Sequence, residues 1–460
     1  MKILVLNGSP TGEKSITLQY TYYLQQIHKE HAIEIVNVAQ QIKKIEEDKN
    51  FFHSIMEKVN QADAVIWSFP VYVYLVPAQL KRFIELIWER NAQQNFAGKH
   101  AIAISTSIHF YDTLAQHYMQ GIMDDMNMHF AGKYSARMGD LLEEDERKHF
   151  DIFINDFLET VEKKENTVKH YAQVKCDAIT YVSEVVNRTV DLQGKKAVII
   201  YDANDEASNL TKMVRKLESL YVGDVTVINL WDVKINGGCL GCMKCALDNV
   251  CVYGQSDDIA YIYDRQIANA DIVIYGVTIK DRFLSARFKM FMDRRFRKTH
   301  QPQLVGKQLG VMVQGTLSQL NDLDWFFQAE AEMGDGNLAA IMSDEVSDSR
   351  ELDEMIERFA RKLVTLSQNN YMSPRSFAGV AGKKIFRDDI WGELRFVFQK
   401  DHDYYTKNGW YDFPQYDKKV KKTNSIMMKV TKIPKVREVM REQMRDKMLE
   451  PYQAFLKTLK

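Results

Sequence analysis

The chain has 460 residues, 45% of them hydrophobic and 27% charged, with a formal net charge of −1. That length predicts two or three domains, each with ample apolar material for a core, and the near-neutral balance gives no global attraction to nucleic acid. The amino-terminal apolar run is too short for a secretory signal, and the longest uncharged stretch, Ala64 to Gln79, is broken by Pro70 and Pro77. It falls short of the roughly 20 residues that a membrane-spanning helix needs, so the expectation is a cytoplasmic protein without a transmembrane segment.

Ile3 to Asn7 reads as a short strand opening into Gly8-Ser9-Pro10-Thr11-Gly12-Glu13-Lys14-Ser15-Ile16-Thr17, after which Leu18 to His28 reads as helix. Unpaired amides and hydroxyls at a helix start suit a phosphate, although a plain strand-to-helix turn has the same composition. The loop is neither a Walker loop nor the GxGxxG turn. Ile33 to Val38 is a second strand and Asp48 to Gln61 a polar helix. Ala64 to Phe69 is a buried strand ending in the apolar, aromatic loop Pro70-Val71-Tyr72-Val73-Tyr74-Leu75-Val76-Pro77. Such a loop covers a flat ring system or is local core. Leu80, Phe83, Ile84, Ile87 and Trp88 then mark the inner face of a helix. His100 to Thr106 gives a fourth strand that opens into Thr106-Ser107-Ile108-His109-Phe110-Tyr111, Ala131 to Met138 a fifth, and Glu144 to Val161 a closing helix. The alternation predicts a parallel, doubly wound sheet in which the loops after strands one, three and four converge on one crevice.

Thr167 to Gly194 reads as a helical linker. Beyond it the chain repeats itself: Lys196-Ala197-Val198-Ile199-Ile200 restates Lys2-Ile3-Leu4-Val5-Leu6 at an offset of 194, and Asn269-Ala270-Asp271-Ile272-Val273-Ile274 restates Gln61-Ala62-Asp63-Ala64-Val65-Ile66 at 208. The extra length falls between the second strand, Val225 to Asn229, and the third. There Cys239, Cys242, Cys245 and Cys251 lie within thirteen residues. Thiolates stepped this closely hold an iron–sulfur cube, each iron taking one; a tetrahedral zinc is the rival reading. Disulfides fit poorly, because Cys176 would be left over. Where the first half has Gly8-Ser9-Pro10, the second has Asp202-Ala203-Asn204-Asp205-Glu206, whose carboxylates repel a phosphate, so one nucleotide is expected, in the first half. Lys280, Arg282 and Arg287 read either as receivers of an anion or as a solvated basic helix start.

Beyond about Tyr371 the chain leaves the repeat, first through an aromatic segment around Phe386 to Pro414 that wraps the core or folds over a crevice. From Gln415 onward there are 13 Lys and Arg against 5 Asp and Glu, threaded by Met and Val at loosely helical spacing. This tail reads either as a surface amphipathic or partner-docking helix or as one lying on an acidic part of the same protein. The expected division is residues 1–166, a linker 167–194, 195–370 and an extension 371–460.

Asn7-Gly8-Ser9-Pro10 with Ser15-Ile16-Thr17-Leu18, Pro70-Val71-Tyr72 with Leu80-Lys81-Arg82-Phe83-Ile84, and Thr106-Ser107 together resemble the NADPH-dependent FMN reductase branch of the flavodoxin-like fold. The Cys239 to Cys251 spacing, followed by Asp257-Asp258 and Ala270-Asp271, resembles the cluster motif of iron–sulfur flavoproteins. The resemblance implies two flavodoxin-like sheets of order 2-1-3-4-5 in tandem. It implies FMN, with Ser9, Pro10, Ser15 and Thr17 near the phosphate, Pro70, Val71, Tyr72 and Val73 beside ribityl and ring, and Thr106 and Ser107 at the third loop. It also implies a [4Fe-4S] cluster on the four named cysteines. Ile16 stands where such loops often carry Asn. Related iron–sulfur flavoproteins keep both cofactors in one unit and pair them between subunits; here the two sit in different repeats, so the expectation is a fused pseudo-dimer whose flavin and cluster face each other across the repeat interface. The implied activity is an oxidoreductase linking NAD(P)H or ferredoxin, the cluster, FMN and a small organic acceptor. Tyr72, Tyr74, His109 and Tyr111 are expected to line the acceptor pocket, with His109 or Tyr111 either a proton source or plain wall. The alternatives are an electron-transfer flavoprotein without an organic substrate and a non-redox zinc scaffold. A homodimer is one assembly the reading allows.

Overall fold

Runs of apolar residues buried on both faces make parallel strands, and helices on each side complete the cover. The computed structural model describes residues 1–175, 179–183 and 188–459; Cys176 lies outside them. It comprises two compact units, Met1–His402 and Asp403–Lys460.

The first sheet is built from β1 (Lys2–Asn7), β2 (Ala32–Val36), β3 (Ala64–Pro70), β4 (His100–Ser107) and β5 (His129–Arg137), all parallel, in the order β2-β1-β3-β4-β5. Between them run α1 (Ile16–Ile27), α2 (Ile42–Glu47), α3 (Lys49–Gln61), α4 (Ala78–Glu89) and α5 (Asp112–Asp125), with α6 (Glu144–Lys163) closing the unit. Helix α1 starts two residues before the predicted point because Ser15 caps it, its side chain accepting from the Leu18 amide. Asp48 caps α3 in the same way. The sequence reading passed over α5: Gln116, Gln120, Gly121 and Asp124 are buried among its apolar residues, which blurs the amphipathic stripe.

The helical reading of residues 167–194 does not hold. The described residues up to Thr189 have no regular structure, and Val190 already opens β6 (Val190–Tyr201). The physical reason is where the amides go. His170 and Tyr171 donate to the Asp124 carboxylate at 3.0 and 2.9 Å, Lys175 to Gln319 Oε1 at 3.0 Å, Tyr181 to Asn209 Oδ1 at 2.9 Å and Val182 to Ser349 Oγ at 3.0 Å. Acceptors on both repeats outcompete the helical i→i−4 partner, and the segment becomes a strap.

The second sheet adds α7 (Asn209–Leu220), β7 (Tyr221–Asn229), the short α8 (Ile259–Tyr261) running on as a π-helical turn to Ile267, β8 (Ile272–Lys280), β9 (Phe283–Leu284), α9 (Ala286–Arg294), β10 (Gln308–Gln314), α10 (Asn321–Met333), β11 (Asn337–Ser343) and α11 (Ser349–Gln368). Its order, β11-β10-β8-β6-β7, is 2-1-3-4-5 counted within the repeat, with β9 pairing antiparallel to β8. The cysteine segment lies between β7 and β8.

The two sheets meet through α4 and α9 about a pseudo-twofold axis written into the hydrogen bonds. The amide of Ala78 donates to Asp293 Oδ2 at 2.8 Å, and that of Ala286 to Glu85 Oε1 at 2.6 Å, so each helix supplies the acid that caps the other. Lys289 Nζ donates to the Tyr72 carbonyl at 2.7 Å, and Lys81 Nζ to the Lys280 carbonyl at 3.3 Å. All four equivalent pairs stand 208 residues apart. This is the isologous pattern of a twofold dimer, realised within one chain. A single buried apolar cluster runs from Leu4 and Trp67 on one sheet to Tyr275 on the other and Phe326 of α10, while separate clusters fill the outer faces. The symmetry breaks at one point. Asp281 stands where the first half has Val73, and it gives Lys81 a second carboxylate at 2.8 Å.

Helices α12 (Phe377–Trp391) and α13 (Gln399–Lys407) follow. Phe386 packs on Phe110 with ring centroids 4.4 Å apart, so part of the aromatic segment covers the loop after β4. The second unit contains α14 (Lys418–Val430) and α15 (Pro434–Lys457), neither of which buries a residue. No helix among the described residues is long and apolar enough to cross a membrane.

Candidate functional site

The loop after β1 is pinned by Asn7, whose side-chain oxygen accepts from the Ser9 amide at 3.1 Å while its amide group donates to the Gly12 carbonyl at 3.1 Å. Gly12 sits at φ +58, and a Cβ there would overlap Gln40. The result is a cradle: Ser9 Oγ lies 2.8 Å from Thr11 Oγ1, Ser15 caps α1, and the buried Thr17 hydroxyl meets that of Thr106 at 2.5 Å. Ser9, Pro10, Ser15, Thr17 and Thr106 are all buried. Hydroxyls gathered on the first-turn amides of a 12-residue helix form a donor set that fits a phosphate. Pro70, Val71, Tyr72 and Val73 form the turn after β3, closed by paired Tyr72 and Leu75 hydrogen bonds of 2.8 and 3.2 Å, with φ +42 at Val73 and +69 at Tyr74. Ser107, the last residue of β4, accepts from the His109 amide at 2.9 Å.

Onto these loops comes the cysteine segment of the other repeat. Gln79 donates to the Cys239 carbonyl at 3.0 Å. Gly241, at φ +63, approaches so closely that a Cβ on it would overlap the Tyr72 hydroxyl and come within 3.3 Å of Thr11 Cγ2. One glycine of the cysteine loop thus touches both the hydroxyl-lined loop and the aromatic turn. Gly241→Ala is expected to strain the loop by roughly 1–3 kcal/mol through its backbone alone, seen as faster loss of iron to a chelator, and Tyr72→Phe in the same chain should recover part of the retention by removing the overlapping oxygen.

Cys239, Cys242, Cys245 and Cys251 together line one cavity with Leu240, Gly241, Met243 and the side chains of Tyr253, Arg294 and Arg297. Arg294 locks its wall, donating to Asp257 at 2.8 and 3.0 Å and to the Gly237 carbonyl at 2.9 Å, with its guanidinium 3.9 Å over the Tyr253 ring. Burial pushes the Cys239 thiol up to about 12 and the Cys245 thiol up to about 11, so a bound metal or cluster has to displace those protons. No three of the sulfurs lie within 4.8 Å of one another; among the described residues only His28, Glu30 and His31 form a group that tight. A tetrahedral zinc with Zn–S near 2.3 Å holds its thiolates about 3.8 Å apart. The four-thiol set is one that either a zinc ion or an iron–sulfur cluster accepts, and the neighbouring arginines suit the negative charge of either.

The equivalent crevice of the second repeat is filled by its own side chains. Asp202 accepts from the Thr278 amide at 3.0 Å and from the Ser285 hydroxyl. Gln314 Oε1 takes the Leu210 amide at the start of α7 at 2.7 Å, and Asp344 accepts from the Gly315 amide at 2.8 Å. Arg282 pairs with Asp125 across the repeats at 2.6 Å, and Arg287 donates to the Leu230 and Val233 carbonyls, so neither is left free for an anion. Burial raises the Asp202 carboxyl to about 8 from an ordinary 3.8. Between those values the folded state holds a proton that the unfolded chain lacks, so stability falls as pH rises through that window and levels off above it. Asp202→Asn, whose Oδ1 still accepts from the Thr278 amide while its Nδ2 donates to the Ser285 hydroxyl as a protonated carboxyl would, should remove this slope: melting at pH 5 and pH 8 should differ less in the variant, by on the order of a few kcal/mol of stability.

Residues 1–139 match the family model of NADPH-dependent FMN reductase. The amino-terminal sheet and its three loops are an FMN reductase-like unit. Solved structures similar to it include an NADH:FMN oxidoreductase in its apo form, 18% identical over 34% of this chain and 87% of that one, TM-score 0.29. A flavoenzyme NAD(P)H:(acceptor) oxidoreductase from Paracoccus denitrificans is 19% identical over 35% and 98%, TM-score 0.29. An FMN-dependent NADH-azoreductase from Bacillus anthracis strain Ames Ancestor, solved with FMN, is 13% identical over 36% and 100%, TM-score 0.25. Comparison with curated proteins returned no match.

Within the reductase-like unit, His109 is exposed, its Nδ1 3.4 Å from Asp112 Oδ2, whereas Tyr111 is half-buried and edge-on to Tyr74 at 5.2 Å. Tyr74 itself is buried against Phe110 and Phe326 and accepts from Arg295 at 3.2 Å, which makes it wall between the repeats rather than pocket lining. Sequence reasoning missed Thr11, Gln79, Lys289 and Arg294. Only Lys289 carried a signal: with Asp293 it restates Lys81 and Glu85 at the repeat offset.

Proposed function

We propose that this chain is an oxidoreductase that uses FMN and a [4Fe-4S] cluster to pass electrons between NAD(P)H or ferredoxin and a small organic acceptor. The supporting observation is the seating of the cysteine loop, through Gly241, on Thr11 and Tyr72 of the reductase-like unit. In this reading residues 1–166 carry the flavin and 195–370 the cluster, with 167–194 joining them and 371–460 as an extension, in a cytoplasmic protein. FMN takes up electrons as a pair and gives them up singly, and a cluster handles one at a time.

The chain's own residues bind, orient and screen. Ser9, Pro10, Ser15, Thr17 and the first amides of α1 hold the phosphate; Pro70, Val71, Tyr72 and Val73 flank ribityl and ring, with Thr106 and Ser107 at the far side; Cys239, Cys242, Cys245 and Cys251 ligate iron. Lys289 fixes the turn through the Tyr72 carbonyl, and Gln79 fixes the cysteine loop through that of Cys239, so two inter-repeat hydrogen bonds align the two sites. His109 lies exposed at the rim beside Asp112. Tyr111, held above its ordinary range by burial, stays protonated as a donor.

Anaerobic purification followed by an absorption spectrum and cofactor counts tests the reading, with one FMN and about four irons per chain expected. A colourless or zinc-loaded protein overturns it, and two FMN per chain overturns the pseudo-dimer. Fast reduction of one-electron dyes with no reduction of quinones or nitro compounds leaves an electron-transfer flavoprotein instead. Unchanged turnover in both His109→Phe and Tyr111→Phe dismisses the proton role.

A further inference from the structure

Between Val420 and Leu459, fourteen large apolar side chains are exposed, and α14 and α15 bury none of their residues. Many of these residues fall in rows, while in α15 Val439 and Phe455 stand on a fourth row with Lys435 and Lys447, and Leu449 continues the arginine row. In α14, at 100° per residue, Lys418, Lys422 and Lys429 share an arc of roughly 40°, with Val420 and Met427 opposite and Ile426 and Val430 on the flank. In α15 three stripes each recur at every fourth position: Met440, Met444, Met448 and Tyr452 are apolar, Arg437, Arg441 and Arg445 run beside them, and Glu438, Glu442, Asp446 and Glu450 lie on the far side. The two helices carry 11 Lys and Arg against 4 Asp and Glu, whereas the whole chain has a net charge of −1.

We propose that α14 and α15 form a lipid-binding element that lies on an anionic membrane surface. The three stripes of α15 correspond to three levels of such a surface: apolar side chains among the acyl chains, arginines at the phosphates, carboxylates in water. An acidic protein partner matches the charge but leaves the apolar stripe unexplained, since docking faces for transient electron transfer are small and polar. The charges in α15 forbid spanning, so the helix lies on the bilayer. Each lysine or arginine near an anionic surface adds attraction that decays within a Debye length, so binding is salt-sensitive.

The test is co-sedimentation of the full cofactor-loaded protein with vesicles of phosphatidylglycerol and phosphatidylcholine, or of phosphatidylcholine alone. Pelleting is expected with the anionic vesicles only, weakened in high salt. Reversing Lys418, Lys421, Lys422 and Lys429 to Glu should lower partitioning by more than about 100-fold, and Met444→Asp with Met448→Asp by at least about 10-fold, with flavin and iron content unchanged in both. Failure to pellet with anionic vesicles overturns the proposal, as does pelleting without vesicles, which marks self-association. Binding that survives the two methionine changes reduces the element to a charge patch and also overturns it. So does capture of an acidic ferredoxin by a protein that ignores vesicles.

Discussion

Anaerobically purified Cys245→Ala protein is expected to hold less than about one iron per chain and to lose the broad cluster absorption while keeping its flavin bands. Cys245 is the buried member of the four, and its sulfur lies 3.6 Å from the Phe296 carbonyl. A substitute ligand from solvent therefore reaches that corner poorly. Cys242, by contrast, is exposed, so Cys242→Ala should retain more iron, because water or added thiol can take the open position. The flavin should survive in both variants, since the hydroxyl cradle belongs to the other repeat and is held by Asn7. Simultaneous loss of flavin would show instead that the cysteine loop is needed to shape the cradle it touches. Iron and flavin counts on the same samples separate the two outcomes.

Lys81→Met is expected to cause the largest stability loss of any single change in the repeat interface. Lys81 is fully buried and serves Glu85 at 3.0 Å, Asp281 at 2.8 Å and the Lys280 carbonyl at 3.3 Å. Burial works against its charge, but the two carboxylates outweigh that and hold its pKa above the ordinary value. Removing it strands Asp281 in the core and leaves Glu85 with Arg82 as its one remaining cation, at a cost of about 3–5 kcal/mol, read as a melting temperature lower by on the order of 5–10 °C. The same change at Lys289 should cost less. There burial prevails over its single carboxylate, Asp293, and lowers the pKa, so less favourable pairing is lost. The loss at Lys81 should also depend on pH. Burial already raises Asp281 to about 6 with the lysine present, and without it the carboxyl takes up a proton more readily still. The variant therefore regains stability relative to the parent as pH falls toward about 6, below which both hold the proton, and equal melting shifts at pH 5 and pH 8 would refute this account.

Much of the chain was legible because its signals are local. Val5, Ile66, Ile102 and their counterparts Ile199 and Ile274 are apolar runs bounded by turns, which read as buried parallel strands in any context. The repeat offset of 208 located β8. Failures came where distant groups decided local structure. Residues 167–175 have helical composition, yet the carboxylate of Asp124 captures two of their amides, and nothing near His170 announces it. Tyr74 read as pocket lining from its place in a loop, and the second repeat buried it.

The sequence by itself determined the two parallel sheets, the hydroxyl-rich loop at the start of α1 and the four-cysteine segment, because periodicity and spacing act over a few residues; the strand order came with the family resemblance. Only the tertiary structure decided that the cysteine segment of one repeat rests on the loops of the other. That placement follows from α4 and α9 capping each other across the pseudo-twofold axis, and reciprocal capping requires an acid and an amide that lie more than 200 positions apart in the chain.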